Sequence, residues 1–269
     1  MKKIVMLLII LLWSTSAFAL ESPWEKKSPF KNATIDYNIT GTMNGTKTVY
    51  IKDFGRTKAE YSNTSMTVFG MVQPKKEIII TTPEWEYTID LVENTGSKQS
   101  NPHKFMIEEF HKLTKKQQKK VNENTEKMGL STVEGMNGTV EKNALKLLGY
   151  RCDKVTIMGT TAYTLRGTEI PLKIDANIMG IQISEVATSI KKGSVSASKF
   201  KVPSTINCTY DNHADSVMKE HAKLTIQNLL AGKPPGKSGS NSGNNNQMTP
   251  EMQQQMQNMM KMFGGQGNQ

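Results

Sequence analysis

Two cysteines and four histidines are the residues of this 269-residue chain with the most chemistry to offer, and their spacing limits what they can do. His103 and His111 stand eight apart, as do His213 and His221, so no His-x3-His zinc pair exists. Cys208 and His213 are close enough in sequence to suggest a metal, but Cys208 has a competing fate. Cys152 and Cys208 make an even count without a Cys-x-x-Cys redox pair, and in an oxidising compartment that favours one disulfide between them. Such a bridge would close a loop of about fifty residues and contribute roughly 4 kcal/mol through the entropy of the unfolded chain. Of the carboxylates Glu84, Glu86 and Asp90, the last two share a strand face. They would work as an acid–base pair only if buried together, and polar strand faces hold such groups in water. There is no Gly-x-Ser-x-Gly elbow, and Gly232 to Ser238 has three residues between its glycines where a phosphate loop needs four. No catalytic residue, metal site or cofactor is expected, and the chain does not read as an enzyme.

Sulfur also gathers at the C-terminus. Thr249-Pro250-Glu251 is a helix start, with a cap, a proline at the first position and an acid in the first turn. Met252, Met256, Met259 and Phe263 then recur at helical spacing, so residues 248–269 form a Met/Gln-rich amphipathic tail behind a Gly/Ser/Asn/Pro linker over 232–247. A helix this short needs something to dock on. Methionine suits irregular apolar grooves, on the parent domain or on an envelope protein partner. Met248, Met252, Met256 and Met260 offer thioethers to Cu(I) as a second reading, and disorder without a role is the third.

The other end sets the compartment. Lys2 and Lys3, the apolar run Ile4 to Trp13 and Ala17-Phe18-Ala19 make a secretory signal peptide over 1–19, cleaved after Ala19 and too short to span a bilayer. No cysteine near the cleavage point can carry a lipid anchor. The expected product is a periplasmic protein. Its formal charge of +10 becomes +8 when Lys2 and Lys3 leave, which suits transient contact with an anionic membrane surface and, outside the cytoplasm, no nucleic acid.

The elements that must position these residues are mostly strands. From Ala33 to Leu91 short β-type runs alternate with turn residues: Ile35, Tyr37 and Ile39, then Val49 and Ile51, then Lys58 to Tyr61, Met66 to Val72, Glu77 to Thr81 and Glu86 to Leu91, with Asn63, Pro74 and Pro83 as punctuation. Period-two alternation makes this one wall of a sandwich, barrel or half-barrel. Asn101-Pro102 starts a helix running to about Lys120, with Met106, Phe110 and Leu113 as an apolar stripe against the sheet and five lysines crowding its second half. Strands resume over 151–158, 161–165, 170–176, 181–188 and 196–202. A second helix follows over 215–230, with Ala214, Val217, Leu224 and Leu229 near one face. Trp85, Tyr87 and Ile89 share a strand face that is either core or the lining of a cavity.

Two blocks carry a resemblance. The first is Ile78-Ile79-Ile80-Thr81 with Trp85 to Leu91; the second is Leu148 to Val155 with Gly167 to Lys173 and Phe200 to Pro203. They resemble a family of exported bacterial proteins that is itself similar to the periplasmic lipoprotein carriers (LolA), their outer-membrane receptors (LolB) and the regulator RseB. The resemblance covers about Ala33 to Pro203, and Met/Gln-rich tails are common in that family. It implies an α+β fold, a curved and mostly antiparallel unclosed β-barrel of about ten strands wrapped round helices. That half-barrel domain would occupy 20–231 and have an apolar mouth able to take acyl chains. The implied function is binding of a lipid, a lipoprotein acyl chain or another hydrophobic ligand, with Trp85, Tyr87, Ile89, Met106 and Phe110 as the ligand-binding residues. The rival expectation is an envelope sensor or interaction module that recruits a protein through Met252, Met256, Met259 and Phe263.

Overall fold

Every second side chain of the first strand, β1 (Ala33–Gly41), is buried: Ala33, Ile35, Tyr37 and Ile39 point inward while their neighbours face out. The same alternation builds a single large sheet. The computed structural model describes residues 20–233 apart from 26, 69, 70, 179 and 211. The expected signal peptide over 1–19, nearly all of the linker, and the tail residues Met252, Met256, Met259 and Phe263 lie outside the described residues.

In chain order the remaining strands are β2 (Met43–Lys52), β3 (Thr57–Val68), β4 (Met71–Thr81), β5 (Trp85–Asp90), β6 (Thr95–Ser100), β7 (Thr139–Leu147), β8 (Tyr150–Ile157), β9 (Thr160–Leu165), β10 (Pro171–Ile178), β11 (Ile181–Lys192) and β12 (Cys208–Tyr210). They pair in the order β12-β6-β5-β4-β3-β2-β1-β11-β10-β9-β8-β7, antiparallel except where β12 runs parallel to β6. The sheet is therefore unclosed, with β12 and β7 as its edges. Gly41, at φ +116°, lets the first hairpin meet β11 closely: a β-carbon there would stand 2.2 Å from the carbonyl oxygen of Gln182, which instead accepts the N–H of Thr42 at 2.7 Å.

Two strand expectations merge differently. Asn63 and Pro74 do not interrupt the chain but sit inside the long β3–β4 pair, where Ser65 faces Pro74. Pairing between β4 and β5 stops at Glu77–Asp90, so beyond that point β4 has β3 alone as neighbour, and a residue without an N–H is tolerated on the open side. The segment expected as a strand over 196–202 is a 3₁₀ turn, Ala197–Phe200, capped by Ser196. β6, β7 and β12 were not foreseen, because Thr95–Ser100 and Thr139–Leu147 are too polar to show a β pattern and β12 has three residues.

Among the described residues three α-helices accompany the sheet: α1 (Pro102–His111), α2 (Lys115–Gly135) and α3 (Asn212–Ala231). The single helix expected to end near Lys120 is two, broken at Thr114, whose extended backbone and reciprocal capping box with Gln117 start α2 afresh. The stripe Met106, Phe110 and Leu113 is apolar as expected but packs elsewhere. It meets Val121, Ala222, Ile226 and Leu229 of the other helices, together with Leu20 and Trp24, in a cluster that includes no strand residue. On α3 the buried face is Ala222, Ile226 and Leu229, whereas Val217 and Leu224, expected on that face, are exposed.

The sheet has two cores of its own. One joins Ile35, Tyr37, Ile51, Cys152, Leu165 and Leu172 with neighbours from all the strands between β2 and β7. The other joins Ala59, Ile78, Ile80 and Ile89 under Phe200, Val202 and Ile206 of the segment that follows β11. These cores separate the cysteines. Cys152 is fully buried in the first, Cys208 is half-buried beside the second, and both are free thiols; nine strands stand between β8 and β12 in the sheet. The expected disulfide is thereby corrected, since a bridge requires Cα atoms within about 7 Å. Among the described residues no helix is long and apolar enough to cross a membrane.

Candidate functional site

The strand face expected to carry ligand-binding residues gathers aromatic rings around a lysine. On β5, Trp85, Tyr87 and Ile89 alternate onto one face. Across the β5–β6 register they stand opposite Ser100, Lys98 and Gly96 respectively, and β12 adds Tyr210 opposite Lys98 and Cys208 opposite Gly96. Ile89 is fully buried in the core under Ile206. Gly96 makes that cover possible, because a β-carbon there would lie 2.8 Å from both the Cys208 sulfur and the Ile206 side chain.

Moving along the same face from Ile89 to Trp85, the surface opens and a lysine takes the place of an aliphatic residue. The ammonium of half-buried Lys98 lies 3.7 Å from the centroid of the Trp85 ring and 5.8 Å from the rings of both Tyr87 and Tyr210. Trp85 and Tyr210 meet edge to face with centroids 5.4 Å apart. Three rings thus surround one cation.

Local structure fixes this group. The β4–β5 turn is locked by Thr82, whose hydroxyl accepts the Trp85 N–H at 2.9 Å, and Asn101, the N-cap of α1, donates through its side chain to the Thr82 carbonyl at 2.8 Å. The hydroxyls of Ser100 and Tyr210 both donate to Asp215 Oδ2, at 2.9 and 2.8 Å, which ties the first turn of α3 to β6 and β12. The carboxylate beside it raises the pKa of the Tyr210 hydroxyl above its ordinary value. Asp215 Oδ1 is enclosed and has no hydrogen-bond donor among the described residues. Lys104 reaches the edge of the group, 5.9 Å from the Trp85 ring, and is paired with Glu84. Burial pushes the Cys208 thiol up, and the Lys98 charge partly opposes it.

Of the five expected ligand-binding residues, the structure brings Trp85, Tyr87 and Ile89 together on one face and places Met106 and Phe110 in the helical cluster instead. Glu86, which faces away from Trp85, accepts a hydrogen bond from Gln99 at 2.8 Å, and Asp90 caps the Leu91–Asn94 turn by accepting the N–H groups of Val92 and Glu93. Neither carboxylate lies against the other as a catalytic pair would. Lys98, Tyr210 and Asp215 were missed: β6 and β12 gave no strand signal, so no register could put them beside Trp85.

Two open depressions lie elsewhere on the sheet. One, of about 350 Å³, is lined by Thr40, Gly41, Gly159, Thr161, Asp175 and Ser184; the other, of about 470 Å³, by residues that include Asp36, Tyr37, Thr46, Lys47 and Thr48. Their carboxylates are already engaged. Asp36 accepts from Thr48, Ser189 and Lys191, and Asp175 from Ser184 and Lys173; in both, burial alone would raise the pKa, but these donors hold it below the ordinary value. Among the described residues no group of three His, Cys, Asp or Glu is arranged to hold a metal ion.

No family model matches the chain, and no curated protein matches it. Among solved structures it is similar to an uncharacterized conserved protein from Thermus thermophilus, at 9% identity and a TM-score of 0.39, over 67% of this chain and 91% of that one. It is also similar to PNGF-II, at 12% identity and a TM-score of 0.37, over 71% of this chain; the match spans 33% of PNGF-II.

Proposed function

We propose that the chain is an exported periplasmic protein that binds a lipid, a lipoprotein acyl chain or another hydrophobic ligand, and that its work is shielding and exchange rather than covalent chemistry. In this reading the open sheet curves as a half-barrel, and the ligand lies along the face that runs from Ile89 through Tyr87 to Trp85. One observation carries the reading: Trp85 and Tyr87 continue an inner, core-facing row past the point where Ile206 covers it, and they stay only half-buried. Large aromatic surface left open beside a core is a usual means of holding apolar ligands. The sequence supports export through Lys2, Lys3, Ile4 to Trp13 and the Ala17-Phe18-Ala19 site. The ligand class is supported by the resemblance of the two sequence blocks, Ile78 to Leu91 and Leu148 to Pro203, to an exported family that is itself similar to the lipoprotein carriers. The positive net charge favours transient contact with anionic headgroups during loading or release.

The test is native mass spectrometry, with lipid extraction, on the full chain expressed with residues 1–19 in place and purified from the periplasm. A processed mass with a co-purifying lipid is expected, and Trp85→Ala together with Tyr87→Ala should remove most of it. A clean unliganded mass, with no uptake of a neutral hydrophobic dye, would overturn the reading.

A further inference from the structure

We propose that Lys98 anchors the headgroup of the bound amphiphile, so that the ligand is an anionic one bearing a carboxylate or a phosphate. This rests on the binding reading above and adds the chemical class of the ligand.

Strand alternation puts Lys98 on the same face as Gly96 and Ser100, the face that packs against Ile206 and Cys208. A lysine on the inner face of a sheet is costly unless its charge is paired. Among the described residues Lys98 forms no ion pair with a carboxylate. What holds it are three ring faces, and these stabilise the charge without supplying a hydrogen-bond acceptor of the carboxylate kind. The neighbouring charges are differently placed. Lys104 is neutralised by Glu84, and Asp215 takes two hydroxyl donors on Oδ2 at the first turn of α3, where a negative charge is favoured. Lys98 is therefore the cation of this group held without a counter-charge of its own. Its rings adjoin the open apolar row, which is the geometry an amphiphile needs: chain along Tyr87 and Trp85, acid group at the ammonium.

The experiment is displacement of a neutral dye, N-phenyl-1-naphthylamine, from the processed full chain by palmitate, lysophosphatidate, hexadecanol and hexadecyltrimethylammonium. The two anions should compete about tenfold better than hexadecanol, the ratio expected from one added charge-assisted contact, with the cation weakest. The order of palmitate and lysophosphatidate distinguishes a carboxylate from a phosphate ligand. Lys98→Met should bring the anion-to-hexadecanol ratio close to one, with an unchanged circular-dichroism spectrum and cooperative melting showing that the variant is folded, and Lys98→Arg should keep the preference. Equal competition by all four in the unmodified protein, or an anion preference that survives Lys98→Met and Lys98→Gln, overturns the assignment while leaving ligand binding intact. Self-association of Lys98→Met with an unchanged preference would also overturn it, assigning the lysine to keeping this open apolar face from meeting a second copy. If the dye and every competitor fail to bind, the binding reading itself falls.

Discussion

Asp36 shows how single residues on the outer face of this sheet are tied down. It projects from the middle of β1 and takes donors from both neighbouring strands, Thr48 at 3.0 Å on β2 and Ser189 at 2.7 Å on β11, with Lys191 at 3.1 Å. Burial alone would raise its pKa, but the three donors hold it below the ordinary carboxylate value. A depressed folded-state pKa means that the unfolded chain protonates first as pH falls, so the stabilisation is present above about pH 4 and is lost as acid titrates the folded group. Asp36→Asn should therefore cost about 1 kcal/mol at pH 7 in urea unfolding, the partly exposed pair with Lys191 adding little, and much less at pH 3. An equal cost at both pH values would show that the charge is not what the three donors recognise. Lys98 lies at the opposite extreme, a charge on the inner face that has only rings for company.

Among the elements, the break between α1 and α2 is the least expected and the simplest to explain. Met106, Phe110 and Leu113 keep helical spacing up to the junction, and the lysines after it are compatible with one continuous helix. Thr114 prevents that: its N–H donates to Gln117 Oε1 at 3.0 Å while its hydroxyl accepts the Gln117 N–H at 3.4 Å. Ser/Thr-x-x-Gln is a legible capping signature, so this boundary could have been read from Thr114 and Gln117 themselves. Thr114→Ala should destabilise the protein by about 1 kcal/mol and lower its melting temperature by roughly 2–4 °C. An unchanged melting curve would mean that packing alone of Phe110 and Val121 sets the junction.

For the whole molecule, the position of the two cysteines is the sharpest consequence of the topology. Their number and an oxidising destination argue for a bridge, but β8 and β12 lie at opposite sides of the strand order and their thiols belong to different apolar clusters. Burial pushes the pKa of both thiols above the ordinary value, which makes each a poor nucleophile at neutral pH. Alkylation of the denatured protein without reductant should label both cysteines. In the native state Cys208 should react before Cys152, which has no exposed surface, and reductant should leave the melting temperature unchanged. A denatured protein that takes up no label would restore the bridge.

The sequence by itself determined the alternation of β1, β2, β5 and β8 through β11, the start of α1 at Asn101-Pro102 and the existence of α3, because burying alternate or every third to fourth side chain writes a period that a chain cannot hide; β3 and β4 it cut at Asn63 and Pro74 and joined across Met66 to Val72, where the structure ends one strand and begins the next. It also placed Trp85, Tyr87 and Ile89 on one face. Tertiary structure alone decided what meets that face. Thr95–Ser100 has no apolar residue to reveal it as a strand, and only its pairing with β5 and β12 brings Lys98 to Trp85 and Tyr210. Likewise Val217 and Leu224 have the spacing of a buried stripe, but whether a stripe is buried depends on which helices arrive beside it, and those contacts lie a hundred residues away in the chain. Periodicity is a local property of the backbone; register and partnership are long-range, set by the total burial that the whole sheet achieves.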